Sequence, residues 1–394
     1  MIHKKPQPLY LILIGCLIAI GILEILTRAI SPQKTSSSIG FLSFQFNCFQ
    51  KGTFHFLALK PSASCLLVST WDEYDPVHFT TNSLGMRNEE VSIPKPTDAI
   101  RVLTLGDSIV FGWGVRDEHR FTNKAQQILQ KEFPNKKIEI INAGVPATGL
   151  GRSYLSLRKY IDTLNPDIII VEFYPYTDVG IDSNESIWEE TDEHGLPTKI
   201  DSKLVYVDTH GMLKPKITFG PYRFPLLRDS HLFLFLYSLL DSNFNKALPA
   251  QQVINSACLY KPKSTGCGEI DTVKNKSKKL IQGISDLVKK ADRKLVLMYV
   301  PSEFTVSDKV TAGKYGGLEA IILPWEKDHV HEEFTSYFQS ISIDVLDLKP
   351  TFLANSTEQL FFTNDDHWNS AGHTIVAQAL SQKLSPIISS LIDK

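Results

Sequence analysis

Two segments far apart in the chain carry residues whose types make nucleophilic chemistry feasible. Ser108 closes the run Leu103-Thr104-Leu105-Gly106-Asp107-Ser108, and His367 stands in Asn364-Asp365-Asp366-His367-Trp368. A serine hydroxyl is a weak nucleophile at neutral pH. It needs a base within hydrogen-bond reach, a group that orients the base, and donors for the oxyanion that develops on the attacked carbonyl. His367 offers an imidazole base, and Asp365 a carboxylate two residues earlier that can fix its tautomer. Each segment also has a plainer explanation. A serine after a strand is more often a helix cap than a nucleophile, and Asp-Asp-His also suits a metal site or a polar loop before a helix.

Chemistry of this kind needs a scaffold that brings residues 108 and 367 together. From Ile100 the chain alternates short apolar runs with amphipathic stretches. Ile100 to Leu105, Ile138 to Asn142, Ile168 to Phe173, Leu295 to Val300 and Ile343 to Leu346 read as five strands. The third is apolar enough to be buried on both faces. Between them, Phe121 to Phe133, Tyr154 to Leu164 and Ser277 to Ala291 read as helices, and a last helix is expected from Ala371 to Leu384. This alternation predicts an α/β fold with a parallel five-stranded sheet flanked by helices, whose site lies at the C-terminal ends of the strands. Ser108 is at such an end. The pattern breaks at about 179–273, which reads as an insertion after the third strand, with a short helix at Leu232 to Leu240; insertions of this kind often shape a substrate site.

The N-terminal part has a different organisation. Residues 1–30 hold a basic tip, His3-Lys4-Lys5, then an apolar stretch from Leu9 to Ile25 that extends to about Ile30. That is long enough for one transmembrane helix, and the lysines before it favour a cytoplasmic N-terminus, leaving the rest of the chain on the outer side. A cleaved signal peptide competes with this reading, as does a lipoprotein signal in which Leu13-Ile14-Gly15-Cys16 is the lipidation box; the apolar run continuing past Cys16 favours the uncleaved anchor. Residues 31–98 read as a linker and an irregular or β-rich extension, ending at Pro94-Lys95-Pro96, and 99–394 as the main domain. Cys48 with Cys65 and Cys258 with Cys267 are close in sequence and suit two disulfides in an oxidising compartment, the alternative being free thiols. With 43% hydrophobic and 10% aromatic residues and a net charge of −2, the 394 residues read as globular. That charge gives no electrostatic reason to expect a nucleic-acid partner.

Taken together, Gly106-Asp107-Ser108 and Asp365-Asp366-His367 followed by Gly372-His373 resemble the SGNH hydrolases, also called GDSL-type esterases and lipases, over roughly residues 100–394. The resemblance implies a flavodoxin-like SGNH fold, Ser108 as nucleophile, His367 as base, and the Ser108 backbone N–H as one oxyanion donor. Its second motif implies a glycine N–H donor where this chain has Ala147, with Gly149 as the alternative. Its third implies an asparagine side chain where this chain has Thr177, in Tyr174-Pro175-Tyr176-Thr177-Asp178. The family's aspartate three residues before the histidine is Asn364 here. Asp365 instead gives Asp-x-His-Trp, which looks like the variant in bacterial polysaccharide O-acetyltransferases, including those acting on alginate.

The expected activity is therefore serine-dependent hydrolysis or transfer of acyl, foremost acetyl, groups on an extracytoplasmic glycan or lipid. In a Gram-negative bacterium the domain would be periplasmic. Two further readings remain: a non-catalytic envelope protein of the same fold that binds glycan or lipid, and a lipase-like esterase. None of the three calls for a metal or organic cofactor.

Overall fold

The computed structural model describes residues 8–33, 48–69, 72–179, 186–202, 205–209, 211–215, 224, 227, 230–240, 258–260, 270–310, 314 and 326–393. The chain divides into two compact units, residues 1–43 with 214–250 and residues 44–213 with 251–394.

The first unit contains the helix Pro8–Ile30, within which the 21 residues Tyr10–Ile30 are apolar and long enough to cross a membrane; a signal sequence would look the same. Cys16 on this helix is an exposed free thiol. The Glu24 carboxylate, near the helix end, accepts hydrogen bonds from the Ser230 hydroxyl and from the backbone N–H groups of His231 and Leu232. It thereby satisfies the open N–H groups that begin the apolar helix His231–Leu240.

The second unit is built on one parallel sheet. Its strands are β1 (Ala99–Leu105), β2 (Lys137–Asn142), β3 (Ile168–Phe173), β4 (Lys294–Tyr299) and β5 (Asp344–Asp347). They lie in the order β2-β1-β3-β4-β5, all parallel. This is the flavodoxin-like order, in which the strand sequence reverses between β1 and β3 and leaves a crevice beyond their carboxyl ends. Apolar side chains alternate across the strands and feed two cores. Leu103, Leu105, Ile169, Val171 and Leu297 face one side, and Val102, Ile140, Ile170, Val296 and Met298 the other.

Helices cover both faces. α1 (Ser108–Phe111) follows β1 directly, and α2 (Phe121–Glu132) leads into β2. α3 (Leu150–Leu164), α4 (Ile270–Lys290) and α5 (His329–Ser340) contribute to the first core, and α2 and the C-terminal α6 (Ser370–Ile392) to the second.

The five expected strands are present with ends within a residue or two of those read from the sequence. The helix α2 matches its expected bounds to within a residue, whereas α3, α4 and α6 run longer than expected. α3 begins at Leu150 because Gly149, in an extended conformation, caps it and accepts the N–H groups of Arg152 and Ser153. α6 continues past Leu384 and through Pro386, a residue that normally ends helices. Leu384 and Ile388 are fully buried on either side of that proline, so packing outweighs the lost backbone bond.

In the extension, Phe49–Gln50 pairs with Ala58–Leu59 and Ser64–Leu67 with Val77–Thr80, both antiparallel, and Cys48 is bonded to Cys65. Cys258 is also disulfide-bonded; Cys267 lies outside the described residues. The described part of the segment expected as an insertion includes a hairpin of Ser186–Thr191 and Pro197–Ser202 and a second strand pair, Val205–Val207 with Leu213–Pro215. The extension meets the hairpin through backbone bonds from Ile200 to Phe54 and from Phe56 to Ile200.

Candidate active site

Ser108 is the first residue of α1. The β1 strand ends at Leu105, Gly106 lets the chain turn close to the neighbouring β3, and the Asp107 side chain caps α1 by accepting the Ile109 N–H at 2.8 Å. Asp107 rather than Ser108 thus does the capping, which leaves the Ser108 hydroxyl to other partners. Its Oγ lies 2.6 Å from His367 Nε2. The other ring nitrogen, Nδ1, makes a short contact with Asp365 Oδ1, and the same oxygen accepts the His367 backbone N–H at 3.1 Å. Asp366 is the more distant carboxylate, at 3.6 Å from Nδ1. A continuous path therefore runs from Asp365 through His367 to Ser108. The ligand atoms of Asp365, Asp366 and His367 lie within 4.8 Å of one another, and both imidazole nitrogens are engaged in this path.

The His367 loop is held from several sides. Phe362 N–H donates to the His367 carbonyl, and the Asn369 side chain accepts the N–H groups of Ala371 and Gly372 to start α6. Trp368 is fully buried against Phe121, Phe352 and His373, so the tryptophan of Asp-x-His-Trp packs beneath the loop instead of facing the site. His373, buried near Arg87 and Arg120, is driven down to about 3 and stays neutral. Lys314, almost without exposure, donates to Glu303 and to the Phe362 carbonyl, placing a cation behind Asp365 and Asp366.

Charge around His367 determines its protonation. Burial alone would lower the imidazole, but Asp365, Asp366 and Asp107 outweigh it and lift the group to about 9. Burial works in the opposite sense on Asp365, yet His367 and Lys314 keep that carboxyl below its usual range. Asp107 and Asp366 are both held above theirs, burial being the main cause.

The residues expected as oxyanion donors have unequal positions. Ala147 is exposed and has a φ of +59°, the left-handed region that favours glycine. The turn that carries it is fixed by Asn142, whose Oδ1 accepts the Gly144 N–H and whose amide donates to the Val110 carbonyl. Gly149, the alternative, is buried and engaged as the cap of α3. Thr177 departs from the expectation. Its hydroxyl donates to Asp107 Oδ2 at 3.0 Å and lies 3.2 Å from the Tyr174 carbonyl. One hydroxyl proton cannot serve both Asp107 and an oxyanion, and the geometry favours Asp107.

Sequence reasoning missed several supporting groups. Arg87 is fully buried and donates to the Gly112 and Val115 carbonyls and to Asp117, clamping the segment that follows α1. Nothing in the sequence singles out a buried arginine in a segment read as a turn. Trp113, on the clamped segment, stands 5.7 Å from the His367 ring. Tyr74, from the extension, packs on Phe362. Glu172 did leave a signal, being the one charged residue in a strand expected to be buried on both faces. Beside the His367 loop a recess of about 520 Å³ is lined by Tyr74, Val77, Gly114, Arg116, Phe362 and Asn369, among others.

Residues 270–391 match the family model described as "SGNH hydrolase-like domain, acetyltransferase AlgX". The match takes in Asp365 and His367 but not Ser108, which the fold brings to them. Among solved structures, the chain is similar to the acetyl xylan esterase AlAXEase at 16% identity and a TM-score of 0.38, over 72% of this chain and 100% of that one. It is also similar to the psychrotrophic esterase EstA from Pseudoalteromonas sp., at 10% and 0.38 over 74% and 99%. A third is a member of the lipolytic protein G-D-S-L family from Veillonella parvula DSM 2008, at 12% and 0.35 over 72% and 96%. No curated protein sequence matches the chain.

Proposed function

We propose that Ser108, His367 and Asp365 form a catalytic triad that hydrolyses or transfers ester-linked acyl groups, foremost acetyl, on a glycan or lipid outside the cytoplasmic membrane. The observation that carries this reading is the unbroken hydrogen-bond path Asp365–His367–Ser108, with 2.6 Å between His367 Nε2 and Ser108 Oγ. The match of residues 270–391 to an acetyltransferase-type SGNH domain supports the acetyl group. The apolar helix Tyr10–Ile30 supports attachment to the membrane.

In this mechanism His367 Nε2 takes the Ser108 proton as Oγ attacks the ester carbonyl, and Asp365 keeps the second ring proton on Nδ1. The tetrahedral oxyanion is held by the backbone N–H groups of Ser108 and Ala147. On collapse, imidazolium gives its proton to the departing alkoxide, leaving an acyl-Ser108. His367 then deprotonates the acceptor hydroxyl as its oxygen attacks the acyl carbonyl, and returns that proton to Ser108 Oγ as the bond from the acyl group to the serine breaks. Water makes the reaction a hydrolysis; a sugar hydroxyl, for which the recess beside Phe362 offers room, makes it a transfer.

A non-catalytic glycan- or lipid-binding role is favoured by one observation, the engagement of the Thr177 hydroxyl with Asp107. A fluorophosphonate probe separates the two. Covalent labelling of Ser108, together with acetate release from a chromogenic ester that Ser108→Ala abolishes, is expected of the enzyme. A folded protein that neither labels nor turns over supports the binder and ends the catalytic reading.

A further inference from the structure

Glu172 sits directly beneath the nucleophile turn and takes no part in the triad. It is 2% exposed and lies at the carboxyl end of β3, one residue beyond the pairing of Leu105 with Val171. Its Oε2 accepts the Asp107 backbone N–H at 2.8 Å, while the buried Oε1 has no hydrogen-bond partner among the described residues. The carboxyl occupies space that only a glycine at position 106 leaves open. A Cβ there would stand 2.1 Å from Oε2 and 2.4 Å from a Val110 methyl. The same Asp107 that Glu172 holds by its N–H caps α1 with one carboxylate oxygen and receives the Thr177 hydroxyl with the other.

We propose that Glu172 is a positioning residue for the nucleophile, its carboxyl group filling the gap left by Gly106 and holding the Asp107 N–H so that Ser108 and its own N–H face the substrate. The inference rests on Ser108 being the nucleophile. The role requires an uncharged acceptor, because an anion beneath Ser108 would oppose the negative charge that forms on the attacked carbonyl. The surroundings supply that condition. Burial, with Asp107 on the β1 turn and Asp178 beyond β3 as neighbouring carboxyls, pushes Glu172 well above the usual carboxyl range. Val110, the side chain facing it from α1, is apolar. A neutral carboxylic acid accepts the Asp107 N–H through its carbonyl oxygen as an amide would, so glutamine should replace it and leucine should not.

The test compares the full-length protein with Glu172→Gln and Glu172→Leu by the rate of fluorophosphonate labelling at Ser108 and by kcat and KM on an acetate ester. Glu172→Gln is expected within about threefold of the parent. Glu172→Leu is expected to lose on the order of 10–100-fold in labelling rate and kcat with KM unchanged, the scale of a small misplacement of a reacting group. Parental rates for a folded Glu172→Leu, or equal losses in both variants, would overturn the proposal. Infrared spectroscopy at neutral pH gives a second arm that needs neither turnover nor a folded leucine variant. The parent should show a carboxylic-acid carbonyl band that Glu172→Gln lacks, and its absence also overturns the proposal. If the parent fails to label, the triad reading falls, while the infrared band still decides the state of Glu172.

Discussion

On one side of Ser108, His367 has both ring nitrogens engaged, Asp365 bonds to its ring and its backbone, and Trp368 and Asn369 lock the loop beneath it. On the other side, the place for the oxyanion is bordered by Ala147 in a left-handed conformation and by Thr177, whose hydroxyl is directed at Asp107. In the proposed mechanism the proton-transfer arm is thus made of side chains already in bonding geometry, whereas the charge-stabilising arm relies on backbone N–H groups. Backbone donors need the chain to be bent correctly, and this is why so many buried groups, Glu172, Asn142 and Arg87 among them, support the turns next to Ser108.

Substitutions on the two arms should therefore have very different effects. His367→Ala should remove nearly all turnover, a loss on the order of 10⁶-fold in kcat, and Asp365→Asn on the order of 10⁴-fold through the wrong tautomer. Steady-state kinetics on an acetate ester checks both, and a loss below about tenfold for either would separate the bond path from catalysis.

The next effect is on pH. Because Asp365, Asp366 and Asp107 hold imidazolium against the opposing effect of burial, kcat/KM should climb about tenfold per pH unit from neutrality until about 9. The sign for stability is opposite. A group raised above its ordinary 6.5 contributes stabilisation that is complete below that value and fades as pH rises through about 9. The His367 contribution to Tm should decline over the window in which activity rises, and an activity plateau already reached at pH 6.5 would contradict the assignment.

Smaller changes probe the oxyanion arm. Thr177→Val should lower kcat by less than about tenfold; a loss of about 10²–10³-fold would reveal a direct oxyanion donor instead. Ala147→Gly should keep activity and stabilise the fold by about 1 kcal/mol or less, since relief of left-handed strain is partly offset by the freer unfolded chain. Thermal unfolding measures it. A fall in Tm would show that the turn holds Ala147 without strain.

Much of the scaffold was legible in the sequence because its signals are local. Five apolar runs between amphipathic stretches predicted the five strands and their parallel arrangement, and residues 108, 365 and 367 stood out as candidates for a nucleophile, an orienting acid and a base, which the fold brings together. The helix ends were less legible, since Gly149 and the burial of Leu384 and Ile388 act through contacts that spacing does not encode. Thr177 was read by its place in a motif, but the partner of its hydroxyl depends on where Asp107 lies, 70 residues earlier.

What the sequence by itself determined is therefore the alternation that builds the sheet and the chemical types present at its edges. The tertiary structure alone decided which of those groups meet. The switch in strand order between β1 and β3 brings Ser108 and Thr177 to one crevice, and the loop leading into α6 brings His367, 259 residues away in sequence, to within 2.6 Å of Ser108. It also set the protonation of His367 and Glu172, because burial and the distance to other charges exist only once the chain is folded.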